Sequence, residues 1–347
     1  MDMLTTDTLT TEVQAEAEST QESRTSSPVP AITEIRVKGK AIPVPSVDID
    51  GRTVVVTGHW LKIASIQDED LISGNSLPHP ESFLRRLRES GLKADVFTFA
   101  QRIPDVEPRY GYRVEWENVA AAPTASYAQW WSSVSQAVRK NVNRSKKAGV
   151  TVEVVEFSDA LLDAIRSIYN ETPFRQGKQF WHYGKDREVV KRALASDLHQ
   201  SIFLGAYFQG ELIGFMKIAW VGPTGFITQI LSMTRHFEKN PNNAMIAKAI
   251  ELCEAKGMSH FIYGQFVYYD PDSSLTEFKR RNGFESISLP RYYVPLNVKG
   301  KIALASGLHR GVAANTPKAI FRLSRKLRKY WYDRKLRRKG RAPATEA

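Results

Sequence analysis

The clearest hydrophobic pattern in the sequence lies in the second half of the chain. Two segments rich in β-branched and aromatic residues, SIFLGAYF (201–208) and ELIGFMKIAWVG (211–222), are joined by Gln209-Gly210, a dipeptide that suits a tight hairpin turn. A turn containing proline and glycine then leads into FITQILSM (226–233). The three segments predict adjacent antiparallel strands.

Helix and strand signals alternate after this block. Asn240 is a good helix N-cap and Pro241 suits the first helical position, so together they predict the start of a helix. A strand follows at SHFIYGQF (259–266), and Ser274 with Glu277 forms a capping box that opens another helix. With the last strands after this helix, the predicted order is β-β-β-α-β-α-β.

Composition divides the chain into four parts. Residues 1–34 are polar and have few large apolar side chains to offset the entropy of ordering, which predicts disorder. Residues 35–125 carry strand patterns around one short helix. Residues 126–298 hold the elements described above, preceded by a predicted helix over 126–149 whose second half is basic. Residues 299–347 form a basic tail.

Charge is distributed unevenly along the chain. The formal net charge is +12, but residues 299–347 contribute +13 and residues 1–36 contribute −5. A basic tail implies an anionic partner such as lipid, RNA or an acidic substrate. The single cysteine, Cys253, fits a reducing compartment, and neither a secretory signal nor a run of about 20 apolar residues is visible. We therefore expect a cytoplasmic protein.

The tail contains a candidate amphipathic helix, which Thr316 can cap with Pro317 at the first helical position. Apolar residues then recur at spacings of three and four, among many bases: Ile320, Leu323, Leu327 and Trp331. This pattern is typical of a helix lying on an anionic membrane, so we expect peripheral binding to the inner face of the cytoplasmic membrane. Docking of the apolar stripe on the protein itself is the alternative, and tRNA is another anionic partner that the bases would attract.

The element order after residue 200 resembles that of the GNAT acyl-CoA N-acyltransferases. AYFQGELIGFMKI is similar to their second and third strands, ITQILSM to their fourth, and FKRRNGFE to their last helix-to-strand corner. WWSSVSQAVRKNVNRSKKAGVTVEVV and HFEKNPNNAMIAKAIELCEAKGMSHFIYG resemble FemAB-like proteins, which contain two GNAT-like halves and include aminoacyl transferases acting on peptidoglycan precursors. The resemblance covers residues 130–296 well.

This resemblance implies an α/β fold with a mixed, mostly antiparallel sheet flanked by helices. Residues 126–298 would form the acyltransferase domain, and residues 35–125 a reduced first GNAT-like half. The implied reaction transfers an acyl group from an activated donor to an amine of a sugar or other cell-envelope precursor.

The loop PFRQGKQFWHYGKD (173–186) collects aromatic and polar side chains, and in the resembled fold this region borders the acceptor pocket. His182 is a candidate general base, because the pKa of histidine lies near neutral pH. Four neighbours are candidate acceptor-binding residues: Arg175, Lys178, Trp181 and Tyr183. A surface loop with snorkelling aromatic side chains would have the same composition.

Four further candidates lie on or after the predicted strands. Gln229 stands mid-strand where GNAT enzymes often place a glutamate; a glutamine cannot act as a base but can orient the substrate. Tyr268 follows the strand FIYGQF, where GNAT enzymes commonly place a tyrosine general acid, although ordinary packing also explains a tyrosine there. Gln265 and Arg291 are candidate substrate-binding residues.

The donor site departs from the GNAT pattern. GNAT proteins usually bind the pyrophosphate of coenzyme A with a glycine-containing loop before the central helix, but here the loop is RHFEKNPNNAM. The helix N-terminus is still present, so Asn242, Asn243 and Ala244 are candidate acyl-CoA-binding residues. The missing glycines keep aminoacyl-tRNA open as donor. Lys279 and Arg280 can meet phosphate or carboxylate groups, although a solvated helix face is the commoner explanation.

Several other chemistries lack their signals in this sequence. No Cys/His spacing fits a zinc site, and neither a Walker loop, nor a Rossmann fingerprint, nor a nucleophile elbow is present. We therefore expect metal-free direct transfer, in which alignment of donor and amine supplies much of the rate. Two alternatives are an aminoacyl-tRNA-dependent peptidyl transferase and a non-catalytic binding module of an envelope-polysaccharide system.

Overall fold

The structure, a computed structural model, describes residues 28–37, 40–73, 77–175, 177–268 and 270–310. The candidate helix of the basic tail lies outside these residues, as does most of the N-terminal segment for which disorder is predicted. Within the described residues, no helix is both long enough and apolar enough to cross a membrane.

The N-terminal part is built mainly of strands. Among the described residues of this part, the one helix longer than a single turn ends at a glycine with positive φ, Gly91. Its elements are β1 (Ala31–Val37), β2 (Lys40–Ile49), β3 (Arg52–Thr57), β4 (Ile63–Ile66), a 3-10 turn (Glu69–Leu71), α1 (Pro80–Glu89), β5 (Val96–Ala100) and β6 (Arg113–Pro123).

The C-terminal part alternates helices and strands in the predicted order. Its elements are α2 (Tyr127–Ser133), α3 (Gln136–Lys147), β7 (Thr151–Val155), α4 (Asp159–Asn170), β8 (Phe174–Arg175), β9 (Lys178–Gln179), α5 (Arg187–Leu194), a 3-10 turn (Leu198–Gln200), β10 (Ser201–Phe208), β11 (Glu211–Val221), β12 (Thr224–Ser232), a 3-10 segment (Thr234–Lys239), α6 (Pro241–Ala255), β13 (His260–Gln265), α7 (Ser274–Arg281), β14 (Glu285–Pro295), α8 (Val298–Ala305) and a 3-10 turn (Leu308–Arg310).

Twelve of the described strands form one continuous sheet in the order β1-β2-β3-β4-β5-β14-β6-β13-β12-β11-β10-β7. Most neighbours are antiparallel, while β4 with β5 and β12 with β13 are parallel. The last long strand, β14, is inserted between β5 and β6 and pairs with both. The predicted boundary at residue 125 therefore falls within a shared sheet, and the division into two halves stays a prediction.

Helices cover both faces of the C-terminal part of this sheet. α6 packs on one face through buried Met245, Ile246 and Ile250. α4 and α5 pack on the opposite face against Phe203 and Phe215. Because side chains alternate between faces along a strand, the face that carries α4 and α5 is also the face to which Lys217 and Val221 of β11 project.

Three local predictions need correction. The helix predicted over 126–149 is two helices, because Val134 is extended and the Ser135 hydroxyl caps α3 by accepting from the N–H of Val138. The cap of α7 is Ser273 rather than Ser274, again through its side chain. Asn240 precedes α6 but is left-handed at φ 54° and makes no side-chain cap.

The predicted start of regular structure also shifts. β1 begins at Ala31, four residues before Ile35, because residues 31–37 pair with β2 as an edge hairpin. Pairing with β2 satisfies the backbone hydrogen-bonding groups of β1, and the composition of this segment does not predict that pairing.

Candidate active site

The strands β12 and β13 separate partway along their length. Their parallel pairing ends at Phe226 opposite Ile262, while β12 continues to Ser232 and β13 to Gln265. Beyond that point the backbone groups of the two strands need other partners. We call the gap between them the strand opening.

Tyr268 and Lys279 supply such partners at the end of β13. The hydroxyl of Tyr268 accepts a hydrogen bond from the backbone of Gln265, and Nζ of Lys279 donates to the Gln265 carbonyl at 2.5 Å. Gly264 has φ +58°, and a Cβ there would lie 2.6 Å from the Tyr268 hydroxyl oxygen. Only glycine therefore allows the phenol to lie this close to the strand.

Lys279 is the most unusual side chain of this region. It is 0 % exposed, and its Nζ lies 4.6 Å and 4.7 Å from the ring centroids of Tyr263 and Tyr268. In the part of the chain that the structure describes, no carboxylate forms an ion pair with it. Burial lowers the pKa of Lys279 to about 8. Burying an ammonium whose contacts are a carbonyl and two aromatic rings lowers the stability of the folded protein. Buried ionisable groups with shifted pKa values are typical of functional sites.

A cavity of about 290 Å³ lies over the sheet beside the strand opening. One wall is apolar and is formed by β11, β12, β13, β6 and β14: Val221, Phe226, Ile262, Val119 and Leu289. The remaining lining is polar and includes Gln265, Arg291, Arg102, Glu117 and Asp70. The cavity therefore suits a ligand with an aliphatic part and a charged end.

The charged end of the cavity is an ion network. Arg291 pairs with Glu69 at 3.0 Å and with Glu117, and donates to the Thr98 hydroxyl at 3.3 Å. Arg102 pairs with Asp70 at 2.6 Å and lies 3.5 Å from Glu69 and 3.9 Å from Glu117.

Three carboxylates thus face two guanidinium groups in this network, which leaves one formal negative charge in excess. Although burial opposes it, the carboxylates of Glu69 and Glu117 raise the pKa of Arg291. Arg291 lines the cavity, as predicted for a substrate-binding residue, but its guanidinium is already engaged by the protein.

A second polar cluster lies on the same face of the sheet. Nε2 of Gln229 donates to the Tyr169 hydroxyl at 2.6 Å and lies 3.4 Å from Nε2 of His182. Gln229 of β12 is paired across the sheet with Lys217 of β11. Val221, which also belongs to β11, lines the cavity. The structure therefore brings Gln229 and His182 together, and the alternation of side chains along β11 places them on the face that carries the cavity.

The environment of His182 does not suit the role predicted for it. Burial, together with nearby Lys185 and Arg175, lowers the pKa of His182 to about 3. Its ring is neutral near pH 7 and is a much weaker base than an exposed histidine. The geometry instead favours His182 as a hydrogen-bond partner that helps to hold Gln229.

The other candidates from the loop divide into one half-buried and three exposed side chains. Arg175 donates to the carbonyls of Ser232 and Ile168 and pairs with Glu171, so it fastens the loop to β12 and α4. Three candidates are largely exposed beside this anchor: Lys178, Trp181 and Tyr183. Their side chains are available to a ligand at the edge of the His182 cluster.

Known proteins resemble this chain in structure but not in sequence. No family model and no curated protein matches this sequence. FemX superposes with a TM-score of 0.53 at 12% identity, over 80% of this chain and 90% of FemX. The chain has a FemAB-type, GNAT-like fold. The fold class predicted from the sequence is therefore confirmed.

Two other solved structures are less similar. L-PGS from Bacillus licheniformis gives a TM-score of 0.47 at 16% identity, over 70% of this chain and 80% of that one. A tandem GNAT protein from the clavulanic acid biosynthesis pathway gives 0.40 at 8% identity, over 78% and 85%.

The donor site predicted at the start of α6 is only partly free in this FemAB-type fold. The Asn243 side chain donates to Asn282 at 2.8 Å and accepts from Asn141 of α3 at 3.5 Å, so its amide is engaged within the protein. Asn242 and Ala244 are half-buried. This first turn can therefore offer a phosphate chiefly its backbone N–H groups.

The burial of two lysines was not predicted from the sequence. Lys279 was expected on a solvated helix face, whereas neighbouring Arg280 is indeed exposed. Lys217 is buried in β11, where burial lowers its pKa and its Nζ donates to the Ser196 carbonyl. The position of Lys217 inside the apolar run ELIGFMKIAWVG could have indicated its burial, because lysine is rare in buried strands unless its charge has a partner.

Proposed function

We propose that this protein transfers an acyl or aminoacyl group from an activated donor to a primary amine of a cell-envelope precursor. The observation that carries the proposal is the strand opening of a FemAB-type fold with buried Lys279 at its edge and a cavity beside it. The carboxylates of Asp70 and Glu117, which line the cavity, support an acceptor that arrives as an ammonium ion.

The reaction joins the amine nitrogen to the acyl carbon and breaks the bond from that carbon to the leaving oxygen or sulfur. The amine loses one proton and the leaving group gains one, so the step balances without a cofactor. Lys279 is suited to stabilise negative charge that develops on the carbonyl oxygen, because its ammonium lies in a site from which water is excluded. Tyr268, whose pKa is raised by burial, is protonated near neutral pH, and in this proposal it protonates the leaving group.

The experiment combines purified full-length protein, acceptor amines and two donors in separate reactions. With acetyl-CoA, thiol release is measured; with charged tRNA, loss of the aminoacyl ester is measured. Amine-dependent consumption of either donor supports the proposal. The proposal would be contradicted if neither donor is consumed with any of three acceptor classes: amino sugars, lysine-containing peptides and aminoacylated lipid precursors.

The side chains at the opening should be sensitive to small changes. We expect Tyr268→Phe to lower turnover about 10²-fold, the usual effect of removing a positioned acid. We expect Gln229→Ala and His182→Ala to lower turnover by similar factors to each other, because the two side chains contact one another. Turnover is measured with circular dichroism as a control for folding. Full activity of all three variants would place the chemistry elsewhere.

A specific observation favours the aminoacyl-tRNA-dependent alternative. α3 carries five bases and no acid, and its Asn141 contacts Asn243 in the first turn of α6. Four of these bases are exposed: Lys140, Arg144, Lys146 and Lys147. A basic helix beside a helix N-terminus suits a donor with several phosphates. A tRNA, which has more phosphates than coenzyme A, could contact more of the bases on α3.

Hydrogen exchange distinguishes these donors. If acyl-CoA binds at α6, its phosphates should protect amides 242 and 243 from exchange, because these first-turn N–H groups have no acceptor within the helix, whereas the N–H of Ala244 already donates to the Asn240 carbonyl. If tRNA is the donor, protection should extend along the exposed bases of α3 and weaken steeply with salt. Unchanged exchange at α6 with undiminished acetyl-CoA turnover would rule out the α6 phosphate site.

A further inference from the structure

The outer face of α8 carries apolar side chains that nothing in the described part of the chain covers. Val298 and Ile302, one helical turn apart, are 70 % and 61 % exposed, and Leu308 follows at 45 %. Trp60, 62 % exposed, lies beside the helix, with Nζ of Lys299 5.2 Å from its ring centroid. We call these four residues the α8 patch.

The opposite face of α8 fixes the patch in place. Ala303 and Leu304 are buried against Leu61 and Val96. A Cβ at Gly300 would lie 1.9 Å from the Asp95 carbonyl oxygen, so glycine allows the helix to lie directly against the chain that enters β5. The exposed apolar side chains therefore project from a rigid element rather than from a loop that can fold back over them.

Charge around the α8 patch is positive. Residues 298–310 contain Lys299, Lys301 and Arg310 and no acidic residue, and Lys62 is exposed beside Trp60. Lys299 pairs with Asp95 and Arg310 pairs with Glu115, which leaves Lys301 and Lys62 outside the ion pairs of the described residues. From residue 311 the chain continues for 37 residues with twelve bases and two acids.

We propose that the α8 patch is a membrane-docking surface for an anionic lipid bilayer, acting together with the basic tail that begins directly after it. Exposed Trp, Ile, Leu and Val side chains on a rigid helix suit shallow insertion at the headgroup boundary. The bases beside them and in the tail suit the negative surface. Weak apolar insertion and electrostatic attraction reinforce each other, since stable peripheral binding takes two signals.

The test compares two variants of the full chain, each of which replaces an exposed β-branched apolar side chain with aspartate. Ile302→Asp places a charge in the α8 patch. Val154→Asp places a charge on the edge strand β7, at the far end of the sheet, where the side chain is 52 % exposed. Each protein is co-sedimented with vesicles of phosphatidylcholine, with and without phosphatidylglycerol.

We expect the unaltered chain and Val154→Asp to bind phosphatidylglycerol vesicles equally and to dissociate in high salt. We expect Ile302→Asp to bind about tenfold more weakly, because a carboxylate enters the interface poorly and opposes the anionic surface. Brominated lipid should quench tryptophan fluorescence of the unaltered chain more than that of Trp60→Phe.

Three outcomes would overturn the proposal. Equal binding by Ile302→Asp and the unaltered chain would assign all binding to the tail. Absence of binding to anionic vesicles, together with salt-sensitive binding to RNA, would make nucleic acid the partner of the bases. A dimer that forms without lipid and is abolished by Ile302→Asp would make the α8 patch a contact between copies of the chain.

Discussion

Replacing Lys279 with methionine is expected to lower turnover by about 10²- to 10³-fold, the usual loss when one group that stabilises a developing oxyanion is removed. The fold should survive, because methionine fills a similar volume and removes a buried charge that has no carboxylate partner. The free energy of unfolding should be unchanged or higher by up to about 2 kcal/mol. Activity and thermal unfolding are measured on the same preparation.

The pH dependence provides a sharper test of the same residue. Because burial lowers the pKa of Lys279 to about 8, the ammonium form is lost as the pH rises through 8. If that form is required, turnover should fall about tenfold per pH unit above 8. Lys279→Arg keeps its charge throughout this range and should lack the alkaline fall, even if its turnover is lower. A Lys279→Met variant with full activity, or the same alkaline fall in Lys279→Arg, would contradict the assignment.

Replacing Arg291 with leucine is expected to lower the free energy of unfolding by about 3–5 kcal/mol at pH 7. Arg291 neutralises Glu69, which is 7 % exposed, and links β14 to the 3-10 turn at residues 69–71. Without the guanidinium, buried Glu69 and half-buried Glu117 would be left with too little positive charge nearby. Urea unfolding followed by circular dichroism measures the loss.

The loss should come from the ion network and not from the removal of an arginine as such. Arg280→Leu is the matched control, because exposed Arg280 forms a surface ion pair with half-buried Glu277, and its loss should cost less than about 1 kcal/mol. Equal losses in the two variants would refute the role of the network.

The order of helices and strands from β10 to β14 was predictable from the sequence. Those strands and helices are long and amphipathic, and their turns carry glycine or proline, so local pattern and tertiary structure agree. The insertion of β14 between β5 and β6 was not predictable, because strand pairing between distant segments leaves no local signal. The break at Val134 was missed because the apolar spacing continues across it, and only the extended backbone and the Ser135 cap interrupt the helix.

The candidate site was predictable in part. His182 and Gln229 were identified separately, and the structure places them in contact. The pKa of His182 was not predictable, since it depends on burial by residues far apart in the sequence. Lys279 was named as a possible anion-binding residue, but its burial was not predicted, because it stands in a charged segment, FKRRN, where helical spacing cannot show which cation faces β13. Burial of a single side chain is a property of packing, not of pattern.

Mass spectrometry of the acceptor tests the central proposal most directly. Full-length protein and its Lys279→Met variant are each incubated with envelope precursors bearing a free amine, with acetyl-CoA in one reaction and charged tRNA in the other. We predict that the unaltered protein adds the mass of one acyl or aminoacyl group to the amine with one of these donors, and that Lys279→Met adds about 10²-fold less. No acyl adduct with either donor, or equal adducts with both proteins, would contradict transfer at the strand opening.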